Sequence, residues 1–208
     1  MPSLYIIAGS NGAGKSTFGS IYVPKDVLNG VPIFDGDKLF VEKRNELWNS
    51  GIRSPKEARN LAYEFVTNTF DELVEKAITA KSNFVYEGHF TNDATWDIPK
   101  RFKEDGFDVN MVFFGLKDVD ISELRVLDRV KEGGHFVDRL TIESNFYGNL
   151  EKLNQYYHLI DNLLIVDTTV DHMVVAHIIE GKCRLSLHRD QLPTWVTQYL
   201  PRISALIP

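Results

Sequence analysis

Leu4-Tyr5-Ile6-Ile7-Ala8-Gly9-Ser10-Asn11-Gly12-Ala13-Gly14-Lys15-Ser16-Thr17 joins a short apolar run to a glycine-rich turn. From Gly9 onward it fits G-x-x-x-x-G-K-[ST], the P-loop pattern, which has physical meaning where a strand feeds a helix. Small residues let successive backbone N–H groups curl around anionic oxygens, and the N-terminus of the following helix adds a favourable dipole. Gly9, Asn11, Gly12, Ala13 and Gly14 are therefore expected to cradle the phosphates of ATP. Lys15 is expected at the β- and γ-phosphates as a binding and catalytic group, the Ser16 hydroxyl on Mg²⁺, and Thr17 near the α-phosphate. An Asn-Lys-x-Asp run that would read guanine is missing.

Outward from this turn the chain alternates short apolar runs with longer amphipathic stretches, which defines an α/β protein with the P-loop NTPase fold. The runs Leu4 to Ala8, Val31 to Phe34, Asn83 to Tyr86, Val109 to Leu116 and Leu163 to Val166 are rich in β-branched and aromatic residues. They predict a mainly parallel five-stranded sheet with helices on both faces, whose ligands bind outside the carboxyl ends of the strands. The longest helical stretch is Pro55 to Lys81, where Ala58, Leu61, Ala62, Phe65, Thr69, Phe70, Leu73 and Ala77 recur at three- and four-residue steps and predict a sheet-facing side. Ser54-Pro55-Lys56-Glu57 supplies its start signal, with Ser as N-cap and Pro in the first turn. Near the C-terminus, Trp195, Tyr199 and Leu200 between Pro193 and Pro201 predict a short amphipathic helix.

With 208 residues, the chain is expected to form one domain over 1–208. Lys and Arg number 23 against 29 Asp and Glu, a formal charge of −6 without a basic tail, which disfavours a nucleic-acid partner held through phosphates. No apolar run approaches the length of a membrane span, and Met1-Pro2-Ser3 does not read as a signal peptide, so the expected location is cytoplasmic. The single cysteine, Cys183, rules out an intrachain disulfide and a thiolate metal cluster.

Carboxylates follow two of the predicted strands. Asp35-Gly36-Asp37 ends the second, and Asp37 is the candidate general base, since an acceptor hydroxyl attacks a phosphoryl group only if something takes its proton. The same residue also suits an N-cap of the next helix. After the third strand, Glu87 is placed to bind substrate hydroxyls or Mg²⁺ waters, and His89 to contact substrate. Following the fourth strand, Arg125 and Arg129 share a helix face, with Gly133-Gly134-His135 at its end. Arg129 fits a guanidinium that stabilises the transferring phosphoryl group, and Arg125 and His135 fit auxiliary contacts to the nucleotide. The stretch around 119–160 is then expected to act as a helical lid hinged at the glycine pair.

Together, the P-loop, Asp37, Glu87 and the run Arg125-Val126-x-x-Arg129-Val130-x-x-Gly133-Gly134-His135 resemble the zeta toxin family over roughly the first 170 positions. The resemblance implies an ATP-dependent phosphotransferase with an alcohol acceptor, moving the γ-phosphoryl group to the 3′-hydroxyl of the sugar in UDP-N-acetylglucosamine, and a neutralising antitoxin as partner. It assigns Lys15 to the ATP phosphates, Asp37 to the base, Glu87 to the sugar nucleotide and Arg129 to the transferring phosphate. Family members carry a run such as Glu-Thr-Thr where this chain has Glu87-Gly88-His89, which moves the expected substrate-binding hydroxyl to Thr91. Asp138 and Asn145-Phe146 stand where relatives have a proline and an arginine before an aromatic, leaving Arg139 or His135 to supply a second positive charge. Two further readings are a non-toxic metabolic or antibiotic-modifying phosphotransferase and a non-enzymatic ATP-dependent binding module, which needs the P-loop but not Asp37.

Overall fold

The first strand, β1 (Ser3–Gly9), runs through the middle of the sheet, and Leu4, Ile6, Ile7 and Ala8 are buried on its two faces, as a strand between helical layers must be. The computed structural model describes residues 1–131 and 136–208. Its other strands are β2 (Phe34–Asp35), β3 (Phe84–Gly88), β4 (Asp108–Gly115), β5 (Asn162–Asp167), β6 (Met173–Ile179) and β7 (Lys182–Ser186), in the spatial order β2-β3-β1-β4-β5-β6-β7. All pairings from β2 through β5 are parallel. Because the chain crosses from the β3 side of β1 to the β4 side, the turn after β1 opens at the point where strand order reverses.

Among the described residues the sheet has seven strands rather than the expected five. The two extra strands pair antiparallel, β6 on β5 and β7 on β6. The two-residue turn between them, Glu180-Gly181, has φ 48° and 71°, the positive pair that a tight hairpin with native twist requires. β7 is an edge strand with no buried residue, so it carries no apolar run to announce it. Conversely, the expected strand Val31 to Phe34 shrinks to Phe34–Asp35. Pro32 has no N–H to give a ladder, and pairing with β3 begins only at Phe34.

The helices are α1 (Lys15–Phe18), α2 (Lys25–Leu28), α3 (Gly36–Asn49), α4 (Pro55–Ala80), α5 (Asp97–Glu104), α6 (Val119–Lys131), α7 (Arg139–Tyr156), α8 (Thr194–Tyr199) and α9 (Pro201–Ser204). The start of α4 is as the sequence predicts, with the Ser54 hydroxyl accepting from Glu57 N. Its buried side differs. Ala58, Ala62, Val74, Ala77 and Ile78 are buried, whereas Leu61, Phe65 and Leu73 are exposed. A helix of this length is about 39 Å long at 1.5 Å per residue, longer than the sheet it crosses. Only its last turns join the core, while its first half packs on α3, an outer helix with no buried residue. α6 and α7 occupy the stretch read as a lid; Gly133, Gly134 and His135 lie outside the described residues.

The C-terminal helices close the β4 end of the same sheet face on which α4 packs. Trp195 on α8 is 1% exposed and donates from Nε1 to Asp167 Oδ2 at 2.9 Å. A Cβ on Gly115 would lie 2.2 Å from the Trp195 ring, so the indole needs a glycine at the end of β4. Gly115→Ala is expected to cost about 3 kcal/mol of unfolding free energy, the upper part of the usual overpacking range. Urea denaturation measures it, and an unchanged midpoint would show that the indole moves aside freely.

Candidate active site

The turn after β1 is held in shape by its glycines and by pressure from α6. Gly12 has φ 69° and Gly14 φ 83°, the left-handed region that side chains avoid. A Cβ on Gly12 would also come within 2.9 Å of both Arg125 Cβ and the Ser122 carbonyl. The buried Ser122 hydroxyl donates to the Asn11 carbonyl, and the Thr168 hydroxyl donates to Ala13 and Gly115 carbonyls at 2.9 and 3.1 Å. The loop thus stands braced from both flanks.

Lys15 is buried, and its Nζ donates to the carbonyls of Gly9 and Ser10, each at 3.1 Å. Glu87 at the end of β3 lies 3.9 Å from that ammonium and accepts from the Ser16 hydroxyl at 2.9 Å. Burial pushes the Lys15 pKa down and the Glu87 carboxyl up, each partly opposed by the other's charge. For Glu87 the native state binds more protons than the unfolded chain above the ordinary carboxylate range, so its contribution to stability falls as pH rises through the raised pKa. Glu87→Gln is expected to flatten that decline. Urea midpoints measured upward from pH 4 check it, and an equally steep fall in the variant would remove Glu87 as the cause.

A cleft of about 480 Å³ gathers Asn11, Gly12, Ala13, Gly14, Lys15, Ser16 and Thr17 with Asp37, Glu87, Arg125 and Arg129. Asp128, Thr168 and Asp171 complete its polar lining. Asp37 sits in the first turn of α3, and Asp35 takes the N-cap, accepting from Lys38 N at 3.0 Å. The N-cap is thus Asp35 and not Asp37. The charge of Arg129 reaches Lys15, whose pKa it lowers. Arg125 donates to the carbonyls of Gly12, Thr168 and Thr169 at 3.3, 2.6 and 3.1 Å, so its guanidinium ties α6 to the phosphate loop and the end of β5.

On the far side of Lys15 a second cleft of about 280 Å³ joins Lys15, Asp35, Asp37 and Glu87 to His89, Phe40 and Tyr63. Burial and the Lys15 charge hold the His89 pKa well below the usual histidine range. Its Nδ1 lies 3.3 Å from Asn149 Nδ2, an amide donor, an arrangement that suits a neutral ring protonated at Nε2. Thr91 lines neither cleft; it packs under Gly148 of α7. Arg139 also lines neither, because Asp120, Glu123 and Glu143 all bond its guanidinium. His135 lies outside the described residues. Asn145, standing where relatives have an arginine, donates from Nδ2 to Asn11 Oδ1 at 2.8 Å, an uncharged brace on the phosphate loop. Sequence reasoning passed over the pair Asn145 and Asn149, although two amides four residues apart on an amphipathic helix are a visible polar stripe.

The residues fit a magnesium–nucleotide: a glycine cradle that side chains would fill, a buried ammonium, and a hydroxyl beside a carboxylate, the hard oxygen donors that Mg²⁺ selects. Among the described residues no cluster of three or more His, Cys, Asp or Glu forms a metal cage.

This is a P-loop fold whose glycine-rich turn lines one cleft and meets an acidic second cleft at Lys15. The zeta toxin family model matches residues 1–177, and the chain belongs to that family. In three dimensions it is similar to a chain of the PezAT chromosomal toxin–antitoxin system of Streptococcus pneumoniae, at 22% identity over 85% of this chain and 71% of that one, with a TM-score of 0.65. It is also similar to a chain of the AvrRxo1-ORF1:-ORF2 complex with ATP, at 14% identity over 100% of this chain and 77% of that one, with a TM-score of 0.69. At these identities the likeness is one of fold. No curated protein matches the chain in sequence. Among the described residues no helix is long and apolar enough to cross a membrane.

Proposed function

We propose that the protein is an ATP-dependent kinase that phosphorylates a hydroxyl of a small molecule, a nucleotide sugar such as UDP-N-acetylglucosamine being the acceptor that the family suggests. The observation that carries this reading is the meeting of Lys15, Asp37 and Glu87 in both clefts, so that a phosphate end and an acceptor end share one set of charged groups. ATP supplies the phosphoryl group, and a bound Mg²⁺ screens the charge on its oxygens. Lys15 binds the β- and γ-phosphate oxygens. Ser16 and Glu87 would hold Mg²⁺, and Arg129 lies in the same cleft to offset charge on the transferring group. Asp37 accepts the proton of the attacking hydroxyl, and neutral His89 lines the acceptor side. Family membership and the toxin–antitoxin origin of the pneumococcal neighbour support an antitoxin as protein partner.

The test is to incubate the protein with Mg²⁺, γ-labelled ATP and a panel of hydroxyl acceptors that includes UDP-N-acetylglucosamine, with Asp37→Asn as control. Label on an acceptor with wild type alone supports the kinase. Tight ATP binding with no label on any acceptor would leave a nucleotide-dependent binding module.

A further inference from the structure

Asn145 and Asn149 stand one turn apart on α7, about 6 Å along its axis, and their amides lead from one cleft to the other. Asn149 is fully buried; its Oδ1 accepts from Phe90 N at 2.7 Å, and its Nδ2 donates to the Asn145 carbonyl at 2.6 Å. The same Nδ2 lies 3.3 Å from the ring of His89, which lines the second cleft. Asn145 Nδ2 in turn donates to Asn11 Oδ1 at 2.8 Å. Asn11 belongs to the glycine-rich turn and is gripped by α6 as well, since the Ser122 hydroxyl donates to its carbonyl.

Asn11 is only 6% exposed, and with its carbonyl and Oδ1 both engaged, Nδ2 is the group left over. That nitrogen has no partner among the described residues and is not sealed from solvent, so it opens on the first cleft, which Asn11 lines. A nearly buried amide donor without an acceptor costs free energy that a ligand oxygen removes. A brace for the loop does not account for the arrangement, because Ser122 and Thr168 already supply one through backbone carbonyls. Asn145 does something further: by donating to Oδ1 it turns the donor end of the Asn11 amide outward, the end that a phosphate, which only accepts, can use.

The place of this donor along the nucleotide follows from its neighbours. With Thr17 near the α-phosphate and Lys15 at the β- and γ-phosphates, Asn11 stands at the far end of the loop from Thr17. Its partner helix leads within one turn to His89 in the second cleft. The terminal phosphoryl group is the part of ATP that must face both clefts.

We propose that Asn145 is a positioning residue for the phosphoryl donor, holding the Asn11 amide with Nδ2 toward a terminal phosphate oxygen of ATP. This rests on the kinase reading above, and it gives the site a neutral donor that favours a nucleoside triphosphate over a diphosphate.

Calorimetric titration with Mg²⁺ and either β,γ-imido-ATP or ADP reads the terminal group apart from catalysis. Asn145→Ala and Asn11→Ala are each expected to weaken β,γ-imido-ATP about tenfold, the usual worth of a hydrogen bond to a charged group, and ADP by less than about twofold. The double variant is expected to bind β,γ-imido-ATP no more weakly than Asn11→Ala alone, because Asn145 acts through Asn11. Equal losses for the two nucleotides would make Asn145 a brace for the loop and overturn the proposal, as would additive losses in the double variant. Asn11→Ala leaves α7 untouched, and wild-type affinity for β,γ-imido-ATP in that variant overturns the proposal by itself. Transfer assays judge the kinase reading separately: a protein that binds β,γ-imido-ATP but labels no acceptor fails as a kinase, and the ratio of the two affinities still decides the role of Asn145. A wild type that binds neither nucleotide overturns both.

Discussion

Lys15→Met is expected to lower kcat/KM for phosphoryl transfer by about a thousandfold or more, while leaving the protein no less stable than wild type. Both halves follow from the burial of one ammonium. Lys15 Nζ is surrounded by the Gly9 and Ser10 carbonyls and the Glu87 carboxylate, and desolvation drives its pKa down. A lysine whose folded pKa lies below its unfolded value carries a penalty that is in full force below the folded pKa and vanishes above the unfolded one. At neutral pH the native state therefore bears the cost of a buried charge, and methionine, similar in length and uncharged, relieves it. The same charge is what a polyphosphate needs, so function and stability pull in opposite directions at this position. Arginine is not expected to rescue activity, because the enclosed site matches a compact ammonium and not a planar fork. The paired measurement is kcat/KM with labelled ATP and the urea midpoint. Normal transfer by Lys15→Met would remove Lys15 from the chemistry, and a large loss of stability would make it a structural residue.

What could be read in advance divides by range. The phosphate loop and the start of α4 were legible because each rests on contacts a few residues apart: left-handed glycines at 12 and 14, and a Ser54 hydroxyl accepting from Glu57 N. The central strands were legible because burial on both faces leaves an apolar run. The β6–β7 hairpin was not, since β7 is an exposed polar edge and its turn is Glu-Gly, a weaker signal than Asn-Gly. Periodicity also oversold the sheet-facing side of α4, because it shows that a face is apolar without showing what covers it, and α3 covers the first half. In the site, the residues following β1, β2 and β3 were found by their place after strands. Asn145 and Asn149 were not, because their partners Asn11 and His89 lie 134 and 60 residues away. Nothing local to α7 says that its amides reach the glycine-rich loop and His89 of the second cleft. Arg125 lines the first cleft while its guanidinium donates to three backbone carbonyls, and none of those contacts has a local signature.

Asp37→Asn is expected to lower kcat by about 10²- to 10⁴-fold, the usual worth of a positioned general base, with the affinity for ATP within about twofold of wild type. The division of labour at the start of α3 makes this substitution clean. Asp35, not Asp37, accepts from Lys38 N and caps the helix, so asparagine at 37 leaves the cap intact. Losing a first-turn negative charge costs about 0.3–1 kcal/mol of helix stabilisation, too little to unfold the domain. Asp35→Ala supplies the complementary control: it removes the cap and is expected to cost about 1 kcal/mol of stability. If Asp37 takes the acceptor proton, the two variants separate, one losing turnover at near-normal stability and the other losing stability with much of its turnover. Asparagine cannot accept that proton as a carboxylate does, yet it can still hydrogen-bond the hydroxyl, so KM for the acceptor changes little. A variant that transfers at the wild-type rate would return Asp37 to the role of a charge at a helix end, and the hydroxyl would then need another base. The same cleft holds two other carboxylates, Asp35 engaged as the cap and Glu87 engaged with Ser16 and Lys15. Asp37 neither caps the helix nor engages Ser16, which is why the largest loss of turnover among the three is expected at position 37.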